Sequence, residues 1–318
     1  MKLLHAVVLV SLICVALIYF QFKKWTDGQG PLSESIVIEI PKGAASQKVA
    51  DILFEHHVIV HPLMFRIFLK FEQTENSLKA GEYAFDGGVS MRQVMDKLVK
   101  GDVLYHKLTI PEGYTVSQIL SLLAEADDLS GDVTDVPAEG SFLPETYTYQ
   151  KGEQRAVIIN KAVTSLQEKL QIIWDGRDEA LPYKNMQEML IMASIIEKET
   201  GIGSERSQVA SVFVNRLRKG MLLQTDPTVI YALTQGKEEL GRSLTRQDLQ
   251  VDNSYNTYKY AGLPPTPICN PGEEAIWAAA HPAQTDYLYF VANGQGGHNF
   301  AKTLKEHNQN VADWKKIR

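Results

Sequence analysis

Residues 189–201 read MLIMASIIEKETG. Apolar and small side chains run into a glutamate, a lysine and a second glutamate before a glycine ends the segment. The pattern predicts a helix over 185–200. Because it is apolar almost all round, it should lie at the centre of its domain. Met186, Leu190, Ala193 and Glu197 fall in one stripe, since steps of four and three residues nearly close full turns. Glu199 lies about 200° round from Glu197. It therefore reads as structural, paired with a base such as Arg206 or Arg216. Helix C-termini favour cations, so two carboxylates there need a reason. Partial burial and the negative helix end both raise a carboxyl pKa, which is what a general acid requires. On this reading Glu197 is the acid; the plain alternative is a solvated helix end.

Downstream, SERSQVASVFVNRLRKG (204–220) carries a core stripe of Val209, Val212, Phe213 and Leu217. In MLLQTDPTVIYAL (221–233), Asp226 reads as an N-cap with Pro227 at the first helical position. Gln224 and Thr225 are then left at a helix mouth, and an amide there suits sugar hydroxyl or acetamido groups. NSYNTYKYAGLPPTPICNPG (253–272) gathers Tyr255, Asn256, Thr257 and Tyr258 on a loop stiffened by Pro264, Pro265 and Pro267. Such a loop makes a carbohydrate platform. Asn270 to Glu273 reads as a capping box opening a helix. Further helices are expected over 154–173, 205–218, 227–234 and 271–280. DYLYFVANGQGGHNF reads as a β-hairpin, and Thr303 with Glu306 caps a last helix.

The 318 residues suffice for two domains, and a net charge of −6 gives no reason to expect nucleic acid. Leu3 to Phe22 is free of acidic and basic side chains apart from His5, about the length a helix needs to cross a bilayer. It lacks a small-residue cleavage site and reads as an uncleaved signal anchor. Cys14 falls within it, leaving Cys269 without a disulfide partner. Then SIVIEIPKGAASQKVADILFEH suggests a strand at 36–40, a turn and a helix opened by Ser46. The unit recurs as HKLTIPEGYTVSQILSLLAEA (106–126), with a looser copy between them capped by Ser90. His57 and His61, beside β-branched residues and Pro62, read as solvated surface. Neither metal nor cofactor is expected.

The strand–turn–helix unit resembles lysin-motif (LysM) glycan-binding modules. ASIIEKET, VASVFVNRLRKGMLLQTDPTVIYAL, YNTYKYAGLPPTPICNPG and YLYFVANGQGGHNFAKTL resemble the YceG-like family of endolytic murein transglycosylases, as does EGSFLPETYTY (139–149). Two places depart from the family pattern: Asn253-Ser254 where Ser-Pro is frequent, and Cys269 where a small residue is commoner. The resemblance implies an α+β protein with a single transmembrane helix, LysM-like modules and an α-rich catalytic domain with a small β-sheet. The divisions are an anchor (1–22), a linker (23–34), a LysM-like region (35–104), a second strand–helix module (105–140) and a catalytic domain (141–318). It implies a body outside the cytoplasm, peptidoglycan strands as substrate, association with the plasma membrane and with peptidoglycan synthases, and Glu197 as catalytic glutamate.

In the implied reaction one carboxyl suffices. Glu197 protonates the glycosidic oxygen between N-acetylmuramic acid and N-acetylglucosamine, and the muramyl 6-hydroxyl attacks its own anomeric carbon. A muramidase using water would need a second carboxylate, for which Glu145 and Asp226 are the candidates. Glu145 otherwise lines the cleft or holds PETY in place. Gln224, Thr225, Asp226, Tyr255, Asn256, Tyr258 and Glu145 make up the expected substrate-binding set. The third reading is a non-catalytic wall-binding protein.

Overall fold

The central helix forms as expected. In the computed structural model, which describes residues 2–317, it spans Met186–Glu199, and every side chain from Met189 to Ile196 is buried. Met1 and Arg318, the outer ends of the expected anchor and catalytic domain, lie outside the described residues. Eleven α-helices and three two-stranded sheets occur among the described residues, a mixed α+β fold. The chain divides into two compact units. One runs up to His106 and adds Tyr149–Gly152; the other holds Lys107–Thr148 and Glu153 onward.

The first unit begins with α1 (Lys2–Asp27), whose apolar side chains are exposed from Val7 to Phe20. There follow β1 (Ile36–Ile40), α2 (Ser46–Glu55), α3 (Pro62–Phe71), β2 (Gly81–Phe85) and α4 (Met91–Lys100). β1 and β2 pair antiparallel, with Ile38 opposite Tyr83. Alternation in β1 turns Ile38 and Ile40 inward. They join Val49 and Leu53 of α2, Phe65 and Phe68 of α3, and Val94 and Leu98 of α4 in one core. Ser90 and Gln93 close a capping box on α4. Ser46 opens α2 but does not cap it; its hydroxyl bonds Glu75 instead.

The second unit holds β3 (His106–Thr109) and β4 (Thr146–Tyr149), apart from His106 and Tyr149 at their ends, with α5 (Val116–Glu125), α6 (Arg155–Asp175) and α7 (Met186–Glu199). It continues with α8 (Arg206–Arg218), α9 (Asp226–Thr234), α10 (Glu273–Ala280), β5 (Tyr289–Ala292), β6 (His298–Ala301) and α11 (Leu304–Ile317). Helix α7 packs on α10, α8, α6 and α9. β5 and β6 form the expected hairpin, with Phe290 opposite Phe300. Thr303 and Glu306 form the expected box on α11.

The two IPxG turns are alike, with Gly43 and Gly113 both left-handed at φ 75° and 74°. Their settings differ. The segment read as a separate module, 105–140, joins the helical unit from Lys107 onward. The reason is Asn270, which does not cap α10 as expected; Gly272 holds that position without a side-chain bond. The fully buried Asn270 side chain instead accepts from Phe142 N–H at 2.9 Å and donates to Tyr114 C=O at 2.9 Å and Glu139 at 3.1 Å. Glu139 in turn accepts from Val116 N–H, at the start of α5. Three loops distant in sequence are thus tied at one amide. Asn270→Ala should cost about 1–3 kcal/mol, because the Phe142 N–H is left buried and unpaired. Urea unfolding of the variant against the wild type measures it.

Candidate active site

The two glutamates of α7 enter different surroundings. Glu197 is nearly sealed, its side chain 7% exposed. Its Oε2 accepts from Gly272 N–H at 2.9 Å, and its Oε1 lies 3.8 Å from the Arg206 guanidinium. Arg206 also reaches Glu112 and bonds Glu274, so one buried cation answers three carboxylates. Burial pushes the Glu197 carboxyl up, and the Glu112 charge adds to this; the Gly272 N–H, Arg206 and Lys198 pull the other way. Lys198 donates to Gly113 C=O at 3.3 Å. Glu197 thus secures the end of α7 to the loop before α10, and Lys198 secures it to the loop before α5.

Glu199 faces a cavity. The space, about 400 Å³, is lined by Glu199, Arg216, Gln224, Asp226, Tyr258 and His307, with Tyr289 and Phe290 of the hairpin. Burial raises the Glu199 carboxyl, and the neighbouring Asp226 raises it further. The hydroxyl of Thr225, which donates to Glu199 Oε1, opposes that rise, as do the His298 and Arg216 charges. Arg206 belongs to Glu197; of the two bases expected beside Glu199, Arg216 is the one there. A larger cavity of about 740 Å³ lies against Ser211, Asn215 and Arg218 of α8. These residues occupy the face opposite Phe213 and Arg216. That space holds none of the residues singled out in the sequence.

The turn before α9 is built to hold its side chains in the cavity. Thr225, Thr228 and Thr257 form a buried ladder: Thr225 N–H donates to Thr257 Oγ1 at 3.1 Å, and Thr228 bonds both Thr225 C=O and Thr257 Oγ1. Gln224 adopts φ 51°, a left-handed conformation uncommon for glutamine. Its N–H donates to Thr257 C=O at 3.1 Å, so the neighbouring loop holds the strained geometry in place. Asp226 is the first helical residue and not the cap, a position held by Thr225 without a side-chain bond. Its Oδ1 accepts from Tyr258 O–H at 2.6 Å.

The expected set therefore divides. Gln224, Asp226 and Tyr258 share the cavity with Glu199. Thr225 is buried and spends its hydroxyl on Glu199. Asn256, read as a sugar contact, is fully buried and uses its amide on Leu249 and Val251 C=O and on Tyr258 N–H. Tyr255 packs on Tyr231 and bonds Thr266 through its hydroxyl. Both shape the loop that presents Tyr258. Glu145 is exposed at the start of β4, and the cavity lining does not include it. Asn253, at the place that departs from the family pattern, closes an Asx turn onto Tyr255 N–H. Cys269 lies buried against Ser194 C=O.

Tyr289 and His307 were not anticipated, nor was the part Arg216 plays in holding the cavity walls. Arg216 donates from Nε to Leu288 C=O and from Nη1 to Leu223 C=O, each at 2.7 Å. It thereby fixes the hairpin to the 221–224 segment, with its guanidinium 5.3 Å from the Tyr289 ring centre. His307 stacks on Tyr289, and burial together with the Arg216 charge lowers its pKa. A raised carboxyl, a second carboxylate, an amide and aromatic hydroxyls around one open space are the components of a glycan-cleaving site.

A profile of the YceG-like family matches residues 38–313. The chain belongs to the YceG-like family. An endolytic murein transglycosylase of Bacillus subtilis is 33% identical, over 86% of this chain and 83% of its own. One from Streptococcus pneumoniae is 29% identical over 93% of this chain and 62% of its own. The crystal structure of a yceG-like protein from Listeria monocytogenes, at 34% identity, superposes with a TM-score of 0.53 over 87% of this chain and 98% of that one.

A raised folded-state pKa makes the acid form more stable in the fold than in the unfolded chain. The contribution of Glu199 is fully present below the ordinary value near 4.5 and is lost as pH rises through the folded value. Glu199→Gln cannot ionise. Its stability relative to wild type should therefore increase between about pH 5 and pH 8, measured from denaturation midpoints at each pH.

Proposed function

We propose that this YceG-like chain is a membrane-anchored endolytic murein transglycosylase acting outside the cytoplasm, with Glu199 as general acid and base. The observation carrying the residue assignment is the cavity: Glu199 is the α7 carboxyl that shares open space with Gln224, Asp226 and Tyr258. The activity rests on the relatives, each an endolytic murein transglycosylase by name.

In this mechanism protonated Glu199 donates to the oxygen joining C1 of N-acetylmuramic acid to the next N-acetylglucosamine. The C1–O bond breaks, and positive charge develops on the muramyl ring. The carboxylate left behind takes the proton of the muramyl 6-hydroxyl as O6 closes on C1. A 1,6-anhydro end forms and no water is consumed. Because the nucleophile is tethered, its effective concentration is high. Gln224 offers donor and acceptor to acetamido or hydroxyl groups. The Asp226–Tyr258 pair sits where a positively charged ring would be stabilised.

Two rival readings have specific support. Glu197 also has a raised carboxyl, which keeps it as a candidate acid. Asp226 supplies the second carboxylate of a muramidase in the same cavity. The anchor reading rests on α1, apolar and long enough to span a bilayer from Val7 to Asp27. Glycan binding by the LysM-like region 35–104 rests on the repeated strand–turn–helix units. Hydrogen exchange of the full chain with N-acetylglucosamine oligomers would test it: protection within 36–100 supports the reading, and protection confined to the Glu199 cavity rejects it.

Glu199→Gln should lower turnover of peptidoglycan at least ~100-fold with the fold intact, the low end of a general acid–base contribution. Glu197→Gln should cost far less in turnover and more in stability, since it loosens a structural ion cluster. The reverse ranking transfers the role to Glu197. Wild-type products should end in anhydromuramic acid, one water lighter by mass spectrometry than hydrolytic products. Reducing ends would establish the muramidase instead.

A further inference from the structure

Helix α3 carries two apolar faces. Phe65, Phe68 and Leu69 turn into the core of the first unit. On the other side Leu63, Ile67 and Phe71 stand at i, i+4 and i+8, exposed by 63%, 45% and 67%. They form one stripe along the outside of the helix. Capping chemistry does not require it, and neither does the unit's core.

The stripe continues onto α1. Phe22 packs edge-on against Phe71 at 5.3 Å and against Phe68 at 5.9 Å. Above it, Val7 to Phe20 of α1 expose bulky apolar side chains throughout. A medium that covers those residues as far as Phe22 reaches Phe71 without a break. Trp25, exposed and 6.2 Å from the His61 ring at the start of α3, marks the kind of boundary where indoles collect.

Charge at the junction points the same way. Two carboxylates stand there, Asp27 and Glu72, and Arg92 bonds both, at 2.7 Å and 3.0 Å, while lying over the Phe68 ring. With these answered, Lys23, Lys24 and Lys70 stand exposed around the apolar stripe. An apolar stripe edged by lysines is the pattern of a helix lying in the headgroup region of an anionic bilayer.

We infer that the outer face of α3 is a membrane-surface element, inserted through Leu63, Ile67 and Phe71 into the bilayer that α1 spans. The inference rests on the anchor reading of α1, and its test separates the two. In full-length protein with Cys14→Ala, single cysteines at Ile13→Cys or Ile67→Cys are labelled with an environment-sensitive fluorophore. Cys269, fully buried, stays unlabelled. The proteins are placed in vesicles of phosphatidylcholine and phosphatidylglycerol, with or without brominated acyl chains. The inference expects brominated lipid to reduce emission at both positions by about twofold or more, as for groups at or below the acyl boundary. Quenching at position 13 and not at 67 overturns the α3 assignment and leaves the anchor standing. Absence of quenching at both overturns the anchor reading and the inference with it.

Discussion

Between Met189 and Ile196 helix α7 has no face for water. The carboxylates that follow, Glu197 and Glu199, therefore emerge largely inside the protein and must be answered there. The surrounding loops are arranged to meet that need. Gly272 N–H and Arg206 meet Glu197; the Thr225 hydroxyl meets Glu199. Had the helix been amphipathic, both glutamates would have been hydrated and ordinary. Burial on every side from Met189 to Ile196 is what turns a charged helix end into two distinct electrostatic sites.

The two carboxyls differ in hydrogen-bond supply. Around Glu197 the donors are an N–H and a guanidinium, and Arg206 is shared with two further carboxylates. That arrangement spends the carboxylate on structure, because removing one partner of such a cluster strands the rest. Around Glu199 the bonded partner is a single hydroxyl, and the remaining neighbours border open space. A carboxyl with few fixed partners keeps a lone pair and a proton available for a substrate.

Much of this was legible in the sequence. The period of the apolar residues located α7, α8 and the hairpin, and the unusual order of polar residues around Pro227 located the mouth of the cavity. The stripe argument set Glu199 on the outer side of the helix because it presumes one buried face. When a helix is buried all round, the side opposite the stripe also points inward, and only packing decides which side is hollow. Asn256 was read as a sugar contact and Asn270 as a helix cap, because an amide in a loop looks the same whether it meets sugar, a helix end or distant backbone. Arg216 was expected only as a partner of Glu199; its clamp on the carbonyls of Leu223 and Leu288 gave no signal, because tertiary structure brings them to it. The IPxG repeat correctly announced matching turns, yet the second copy joined the helical unit through Asn270, a contact 156 residues away in the chain.

Arg216 carries one more implication. The cavity's walls come from the hairpin and from the segment before α9, and they are fastened together by a guanidinium, a group that stays charged at any pH the fold survives. The frame and the carboxyl it encloses are thus made of chemically different materials. Two of the neighbours that set the Glu199 carboxyl, the Thr225 hydroxyl and Asp226, are not the groups that fasten the walls. Those neighbours can be exchanged without slackening the vessel, so the carboxyl's acidity can drift while the shape around it is inherited unchanged.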